Sequence, residues 1–440
     1  MRYDLLVIGS GPGGFRAAIQ AAKLGKKVAL VEREKWGGGC THTGTIPSKS
    51  LREAALAGRR VPFREAMERM RAVVREEAKV VHHQLERNKV QLLQGEASFL
   101  SANEIAVAGK KYAADYFVIA TGARPIRHKE FNFRLAGLHD SDSLLRLKER
   151  PKRLLVAGAG VIGCEYASIF ARLGTKVTLC DRRGELLRAV DHEIIAALRE
   201  DFEENGVSLR LACNLGAVTK GKSSALSVEI DNKKYPFDAV LVCMGRTPNI
   251  ENLALEKAGV KSNERGAIQV DPGFRTTTPH IYAVGDVIGA PALAATSAEQ
   301  GRLAAACIFG IECEPFPRSY PYGIYTIPEI SSIGAQELEL REKNVSYVAG
   351  RAPFRELARG MIAGETRGFI KLLVSVENRQ LLGVHVIGAG ASELVHIGQA
   401  VMTLGAPVDF FISNVFNYPT FAEAYKVAAL NAINQLRARG

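Results

Sequence analysis

One pattern occurs twice in this chain and constrains its fold more than any other feature. Leu5-Leu6-Val7-Ile8 runs into Gly9-Ser10-Gly11-Pro12-Gly13-Gly14, then an alanine-rich stretch of helical character, then Val28-Ala29-Leu30-Val31-Glu32. Leu154-Leu155-Val156-Ala157 runs into Gly158-Ala159-Gly160-Val161-Ile162-Gly163, a second helical stretch, then Val177-Thr178-Leu179-Cys180-Asp181. Each copy reads strand, Gly-x-Gly-x-x-Gly, helix, strand and acid, with the acid 23 positions after the first glycine in both. The spacing has a physical reason. Gly9 and Gly158 make the tight turn, Gly11 and Gly160 let the backbone approach a pyrophosphate, and Gly14 and Gly163 let helix and strand pack closely. The helix N-terminus then offers unpaired N–H groups and a positive dipole end to the phosphates. Glu32 and Asp181 stand where an acid accepts hydrogen bonds from the adenosine ribose. Two dinucleotide-binding units in an α/β fold are therefore expected.

Composition narrows the class. At 440 residues, 47% hydrophobic and 24% charged, the chain has the make-up of a folded soluble protein. No stretch approaches the roughly 18 apolar residues of a membrane span, and the start carries no secretory pattern. Seven cysteines form no Cys-x-x-Cys pair, so neither a zinc ribbon nor a disulfide framework is expected. A reducing cytoplasm follows from that usage. The net charge of +12 favours anionic partners. Phosphorylated small molecules fit this better than nucleic acid, because a basic tail, a helix-turn-helix signal and RNA-binding aromatic motifs are all missing. The basic helical stretch 50–88 reads as a solvated face. His42, two positions after Cys40, reads as packing or hydrogen bonding, with no metal site expected.

Further markers extend over the whole chain: Gly38-Gly39-Cys40 with Ile46-Pro47-Ser48-Lys49, Ala120-Thr121-Gly122, and Tyr282-Ala283-Val284-Gly285-Asp286. Together with the two glycine motifs, these resemble the flavoprotein family that includes dihydrolipoamide dehydrogenase, glutathione reductase and mercuric reductase. The resemblance implies two doubly wound Rossmann-type nucleotide-binding domains and a C-terminal α+β dimerisation domain. It divides the chain into an FAD-binding domain (1–125), an NAD(P)-binding domain (126–245), a central domain completing the FAD site (246–320) and an interface domain (321–440). FAD is then held by Gly9, Gly11, Gly14, Glu32, Gly38, Gly39, Thr121, Gly122 and Asp286, the last on the ribityl chain. The helix after Ala292 is expected to aim its N-terminus at the flavin pyrimidine edge. Gly158, Gly160, Gly163, Asp181, Arg182, Arg183 and Gly245 are left to NAD(H) or NADP(H). A homodimer or larger assembly is implied, and no membrane partner.

Two departures from the family pattern matter most. The disulfide reductases carry Cys-x4-Cys; here Cys40 remains and Thr45 stands at the second position, so no disulfide can relay electrons. Their His-Pro-Thr…Glu motif is Tyr418-Pro419-Thr420 with Glu423 here. Tyrosine, at about 10, is a poor acid–base group at neutral pH beside histidine at about 6.5. Both parts of dithiol chemistry are absent together. Hydride exchange between two nicotinamides, NADPH + NAD⁺ → NADP⁺ + NADH, needs neither a thiol nor a net proton. Stretches such as Gly323–Ser332 and Asn417–Tyr425 resemble the transhydrogenating branch of the family. An NAD(P)H-dependent flavin reductase or diaphorase acting on quinones or oxygen is the alternative.

The resemblance also assigns roles. Lys49 is expected beside flavin N5, with Glu165 holding it. Cys40 reads as a half-buried free thiol, or else as a sulfenic-acid site. Tyr418 and Glu423 reach the partner subunit's flavin site or merely pack the interface. Asp181 favours the free ribose of NAD, whereas Arg182, Arg183 and Arg188 favour the 2′-phosphate of NADP. A unit-charge pair at ~4 Å in a medium of dielectric ~20 is worth roughly 4 kcal/mol before desolvation and salt screening. Two arginines can thus offset one acid, and near-parity between the nucleotides is expected.

Overall fold

The computed structural model describes residues 1–221, 225–311, 315–317 and 319–438. The strand Arg2–Ile8 is apolar from Leu5 onward because helices and loops cover both its faces, as a parallel strand requires. It pairs in parallel with Val28–Glu32 on one side and Lys110–Ile119 on the other. Gln91–Gln94 extends the sheet beyond Val28–Glu32, while Glu104–Val107 and Ala97–Ser101 extend it beyond Lys110–Ile119 as an antiparallel edge. Ile281–Ala283 returns from far along the chain to pair with Phe117–Ile119, which makes the sheet seven-stranded.

The second glycine unit builds its own parallel sheet in the order Ser208–Arg210, Lys176–Cys180, Arg153–Ala157, Ala239–Val242 and Leu138–His139. The two passages between the sheets run side by side as an antiparallel pair, Ala123–Pro125 with Arg246–Pro248. In the first sheet Ile8 registers with Val31 and Ile119; in the second, Ala157 registers with Cys180 and Val242. The carboxyl ends of the strands therefore line up beside each glycine turn, where ligands of open α/β sheets bind.

The C-terminal part is an antiparallel sheet in the order Tyr322–Ile324, Ile330–Gly334, Leu381–Gly388, Gly368–Ser375 and Tyr347–Pro353. Helices Ala391–Thr403 and Glu423–Arg437 pack on it around Phe354, Phe411 and Tyr425. One core joins all three regions. Leu51, Ala54 and Ala55 of helix Thr45–Leu56 share it with Leu154, Tyr166 and Phe170 of the second unit and with Ile324, Ile327 and Ile330 of the C-terminal sheet. At about 25 cal/mol per Å² of apolar surface buried, such a shared core holds that helix rigidly between its neighbours.

Cys40, Cys164, Cys180, Cys213 and Cys243 are free, while Cys307 is disulfide-bonded, a bridge that cysteine spacing does not reveal. Cys313 lies outside the described residues. Among the described residues no helix is long and apolar enough to cross a membrane, and no cluster of His, Cys, Asp or Glu is placed to hold a metal ion.

Candidate active site

The two glycine turns are built alike. A Cβ on Gly14 would lie 1.9 Å from the Gly9 carbonyl oxygen, and one on Gly163 would lie 1.8 Å from that of Gly158. No side chain fits at either place. Gly11 and Gly160 are the opposite case, since a Cβ on either meets nothing within 4 Å. The middle glycine of each motif thus faces open space at a helix N-terminus, Pro12–Lys23 in one unit and Val161–Arg172 in the other. A side chain at either position would fill that space. In the first unit Gly38 closes against Gly11, where a Cβ would sit 2.9 Å from the Gly11 backbone, so the Gly38-Gly39 loop walls the same space.

Ser10 ties the first site together. Its N–H and Oγ donate to Glu32 Oε2 at 3.1 and 2.6 Å, and its Oγ accepts from the Gly37 N–H at 3.0 Å. The Glu34 N–H donates to Glu32 Oε1 at 2.9 Å. Thr121 and Asn249 exchange hydrogen bonds at 2.8 and 2.9 Å, fixing the backbone where Gly122 turns. Asp286 sits on the turn Gly285–Ile288, and burial pushes its carboxyl up despite the attraction of Arg246. Helix Ala294–Ile308 lies directly on helix Pro12–Lys23, because a Cβ on Gly301 would meet the Gly13 carbonyl at 2.0 Å.

Lys49 and Glu165 meet where helix Thr45–Leu56 crosses helix Val161–Arg172. Lys49 Nζ lies 2.9 and 2.8 Å from the two Glu165 oxygens. Glu165 is buried and also accepts the Tyr325 N–H at 2.9 Å. The Lys49 ammonium stands 4.7 Å from the centroid of the Tyr325 ring, a cation–π contact. Cys40 is half-buried beside Thr45. Burial pushes the Cys40 thiol up, outweighing the Thr45 hydroxyl and the charge of Lys49. It is a protonated thiol at neutral pH, not an activated thiolate. His42 Nε2–H donates to the Trp36 carbonyl at 2.9 Å and plays a packing part.

In the second unit Asp181 accepts four hydrogen bonds. The N–H groups of Ala159 and Arg183 reach it at 2.7 and 2.8 Å, and the Arg183 guanidinium adds Nε at 3.1 Å and Nη2 at 3.0 Å. Burial alone would raise this carboxyl, but the Arg183 and Ala159 bonds hold it below its ordinary range. Arg182 and Arg188 are exposed, and Arg182 borders a cleft formed by Phe131, Leu215 and Met244. Gly245 takes a φ of 106° where the chain leaves the sheet.

Glu423 begins helix Glu423–Arg437 and Tyr418 lies five positions before it, on elements other than helices Thr45–Leu56 and Val161–Arg172, which carry Lys49 and Glu165. Tyr418 is 71% exposed, and Glu423 Oε2 is buried without a hydrogen-bond partner among the described residues. No hydrogen bond joins either residue to the other or to the Lys49–Glu165 pair among the described residues.

Residues 3–301 match the family model for pyridine nucleotide-disulphide oxidoreductases, and residues 320–429 match that family's dimerisation domain. The chain belongs to this family. It is 46% identical to a soluble pyridine nucleotide transhydrogenase of Mycobacterium bovis, over 99% of this chain and 98% of that protein. It is 44% identical to the protein of the same name from Pseudomonas putida, over 99% of both. Among solved structures it is similar to the HOCl-induced flavoprotein disulfide reductase RclA of Escherichia coli, with a TM-score of 0.94 and 28% identity over 97% of this chain and 99% of that one.

Three features of this pyridine nucleotide-disulphide oxidoreductase escaped the reading by motif. Ser10, the middle residue of the first glycine turn, had no assigned part, yet it links Glu32 to the Gly37 loop. Tyr325 lies in a stretch used for resemblance, but its contact with Glu165 spans 160 positions and no local pattern announces it. The buried pair Arg52–Glu329, at 3.0 Å, locks the same helix to the C-terminal sheet. Arg52 follows Lys49 by three positions, so helical spacing offered the one usable signal for it.

Proposed function

We propose that this chain catalyses FAD-dependent hydride exchange between NADPH and NAD⁺, each nucleotide using one nicotinamide site in turn. The observation that carries this reading is a centre without a second thiol: Thr45 stands beside Cys40 where the disulfide reductases keep their second cysteine, one helical turn from the Lys49–Glu165 pair. The transhydrogenase names of relatives aligned end to end support it.

The residues present fit both ligands. Gly9, Gly11, Gly14, Gly38, Gly39, Glu32, Thr121, Gly122 and Asp286 would hold FAD, and Gly158, Gly160, Gly163, Asp181, Arg182, Arg183 and Gly245 the nicotinamide nucleotide. Bound FAD supplies an acceptor and donor of hydride, which lets two nucleotides that never meet exchange one. Lys49 presents a fixed positive charge at that centre, and Glu165 with the Tyr325 ring prevents it from swinging to solvent. Glu165, itself held by the Tyr325 N–H, needs no proton during the exchange. With no proton to manage, Tyr418 serves at the position where the disulfide reductases keep histidine. The four-part division 1–125, 126–245, 246–320 and 321–440 belongs to the same proposal. So does a cytoplasmic homodimer in which Tyr418 and Glu423 face the partner subunit.

The test is anaerobic reduction of thionicotinamide-NAD⁺ by NADPH. Brisk transfer is expected. Its absence alongside rapid quinone reduction would replace this reading with that of a diaphorase.

A further inference from the structure

The acids that end the second strand of each glycine unit are satisfied in different ways. A carboxylate offers about four acceptor positions. Among the described residues Glu32 has three filled, by Ser10 N, Ser10 Oγ and Glu34 N, and none by a cation. Asp181 has all four filled, two of them by the forked guanidinium of Arg183. A ribose hydroxyl therefore finds a vacant position on Glu32, but must displace Arg183 to reach Asp181.

Arg183 is built to be displaced. Asp181 is 8% exposed in its side chain and Arg183 59% exposed. The Arg183 carbonyl accepts the Ala212 N–H at 2.9 Å, so the backbone is pinned and only the side chain moves. Nε and one Nη2 hydrogen face Asp181, which leaves Nη1 and the second Nη2 hydrogen free as a second donor edge. A guanidinium can bind one anion on each edge, an arrangement that a lysine ammonium does not reproduce.

We propose that Arg183 sets the nucleotide tolerance of the site by taking two positions. With NADP(H) it stays on Asp181, neutralises it and turns its outer edge to the 2′-phosphate. With NAD(H) it moves aside and the ribose hydroxyls take its place on Asp181. The inference rests on the transhydrogenase reading for its purpose, since such an enzyme must bind both nucleotides at one site. Its geometry stands on the second unit alone.

The test is calorimetric binding of two probes that lack nicotinamide, 5′-ADP and 2′,5′-ADP, to the FAD-loaded protein at low salt. Hydride chemistry plays no part, so the result is independent of whether NAD⁺ or a quinone is the acceptor. R183A is expected to weaken 2′,5′-ADP at least tenfold, with 5′-ADP unchanged within twofold or tighter. D181N is expected to weaken 5′-ADP several-fold and to leave 2′,5′-ADP no weaker. If R183A does not fold, R183K decides: it should weaken 2′,5′-ADP several-fold and spare 5′-ADP. Equal weakening of both probes by the Arg183 variants overturns the proposal. So does full retention of 2′,5′-ADP, or its loss in R182A alone.

Discussion

The two nucleotide units share a glycine turn to within 0.1 Å at the clash that forbids a Cβ, 1.9 against 1.8 Å, yet they differ around their acids. Glu32 is held by anchored neutral donors, Ser10 and Glu34, in a pocket walled by the Gly38 loop. Asp181 is held in part by the exposed, movable Arg183. The first arrangement suits a ligand that stays, the second a ligand that comes and goes. On the proposed function one supersecondary unit serves both uses, with the side chains around the acid deciding which.

The sharpest way to break this contrast is to place the same alanine in both turns. G14A should yield a protein that binds no measurable FAD, with affinity lowered more than a hundredfold. G163A should stay yellow but lose reduction by NADPH by a similar factor, read as FAD content against anaerobic half-reaction rate. Loss of FAD from G163A would remove the distinction between the units. Next in size, K49M should retain FAD and slow hydride transfer by about a hundredfold, the order seen when a preorganised electrostatic stabiliser is removed. E32A should weaken FAD by about tenfold, the effect of one well-made hydrogen-bonding acceptor, without altering nicotinamide binding; fluorescence titration of the apoprotein measures it.

A pH series sharpens how the second unit is anchored. Lys371 of the C-terminal sheet is fully buried and pairs with Asp191, Glu193 and Glu337. Arg351 beside Glu193, aided by Lys371 and opposed by burial, lowers that carboxyl to about 2. A depressed carboxyl stabilises the fold above its ordinary value and loses that contribution as the pH falls through its folded value. E193Q should therefore lower Tm by a few degrees at pH 7 and by much less near pH 2.5. The smallest effect is expected at Cys40. C40S should change turnover less than twofold, wild type should take up two electrons per flavin without a thiolate charge-transfer band, and Cys40 should alkylate at pH 8 at least several-fold more slowly than free cysteine. Uptake of four electrons would reveal a second redox store.

Much of this molecule was legible before its structure. Both glycine turns, both terminal acids and the Thr45 replacement are local patterns, and local patterns survive because backbone sterics act over a few residues. The Lys49–Glu165 pair was reached through resemblance, since 116 positions separate the partners. Tyr325 was missed for the same physical reason at greater range: its N–H meets Glu165 only because a three-way core presses helix Thr45–Leu56 between the second unit and the C-terminal sheet. In the sequence Asp181 and Arg183 stand as competitors for a nucleotide. Their contact is not legible there although two positions separate them, because an exposed arginine has many rotamers and its neighbours choose among them.

By itself, the order of residues determined that there are two dinucleotide-type units, where each acid stands, and that threonine rather than cysteine stands five positions after Cys40. Tertiary structure alone decided which charges meet, that Lys49 touches both a carboxylate and an aromatic ring, and that one acid is held by neutral donors while the other is capped by an arginine. Backbone turns are dictated by steric limits within a few residues. Charge pairing depends on which surfaces the core brings together, and that is settled only when the whole chain has packed.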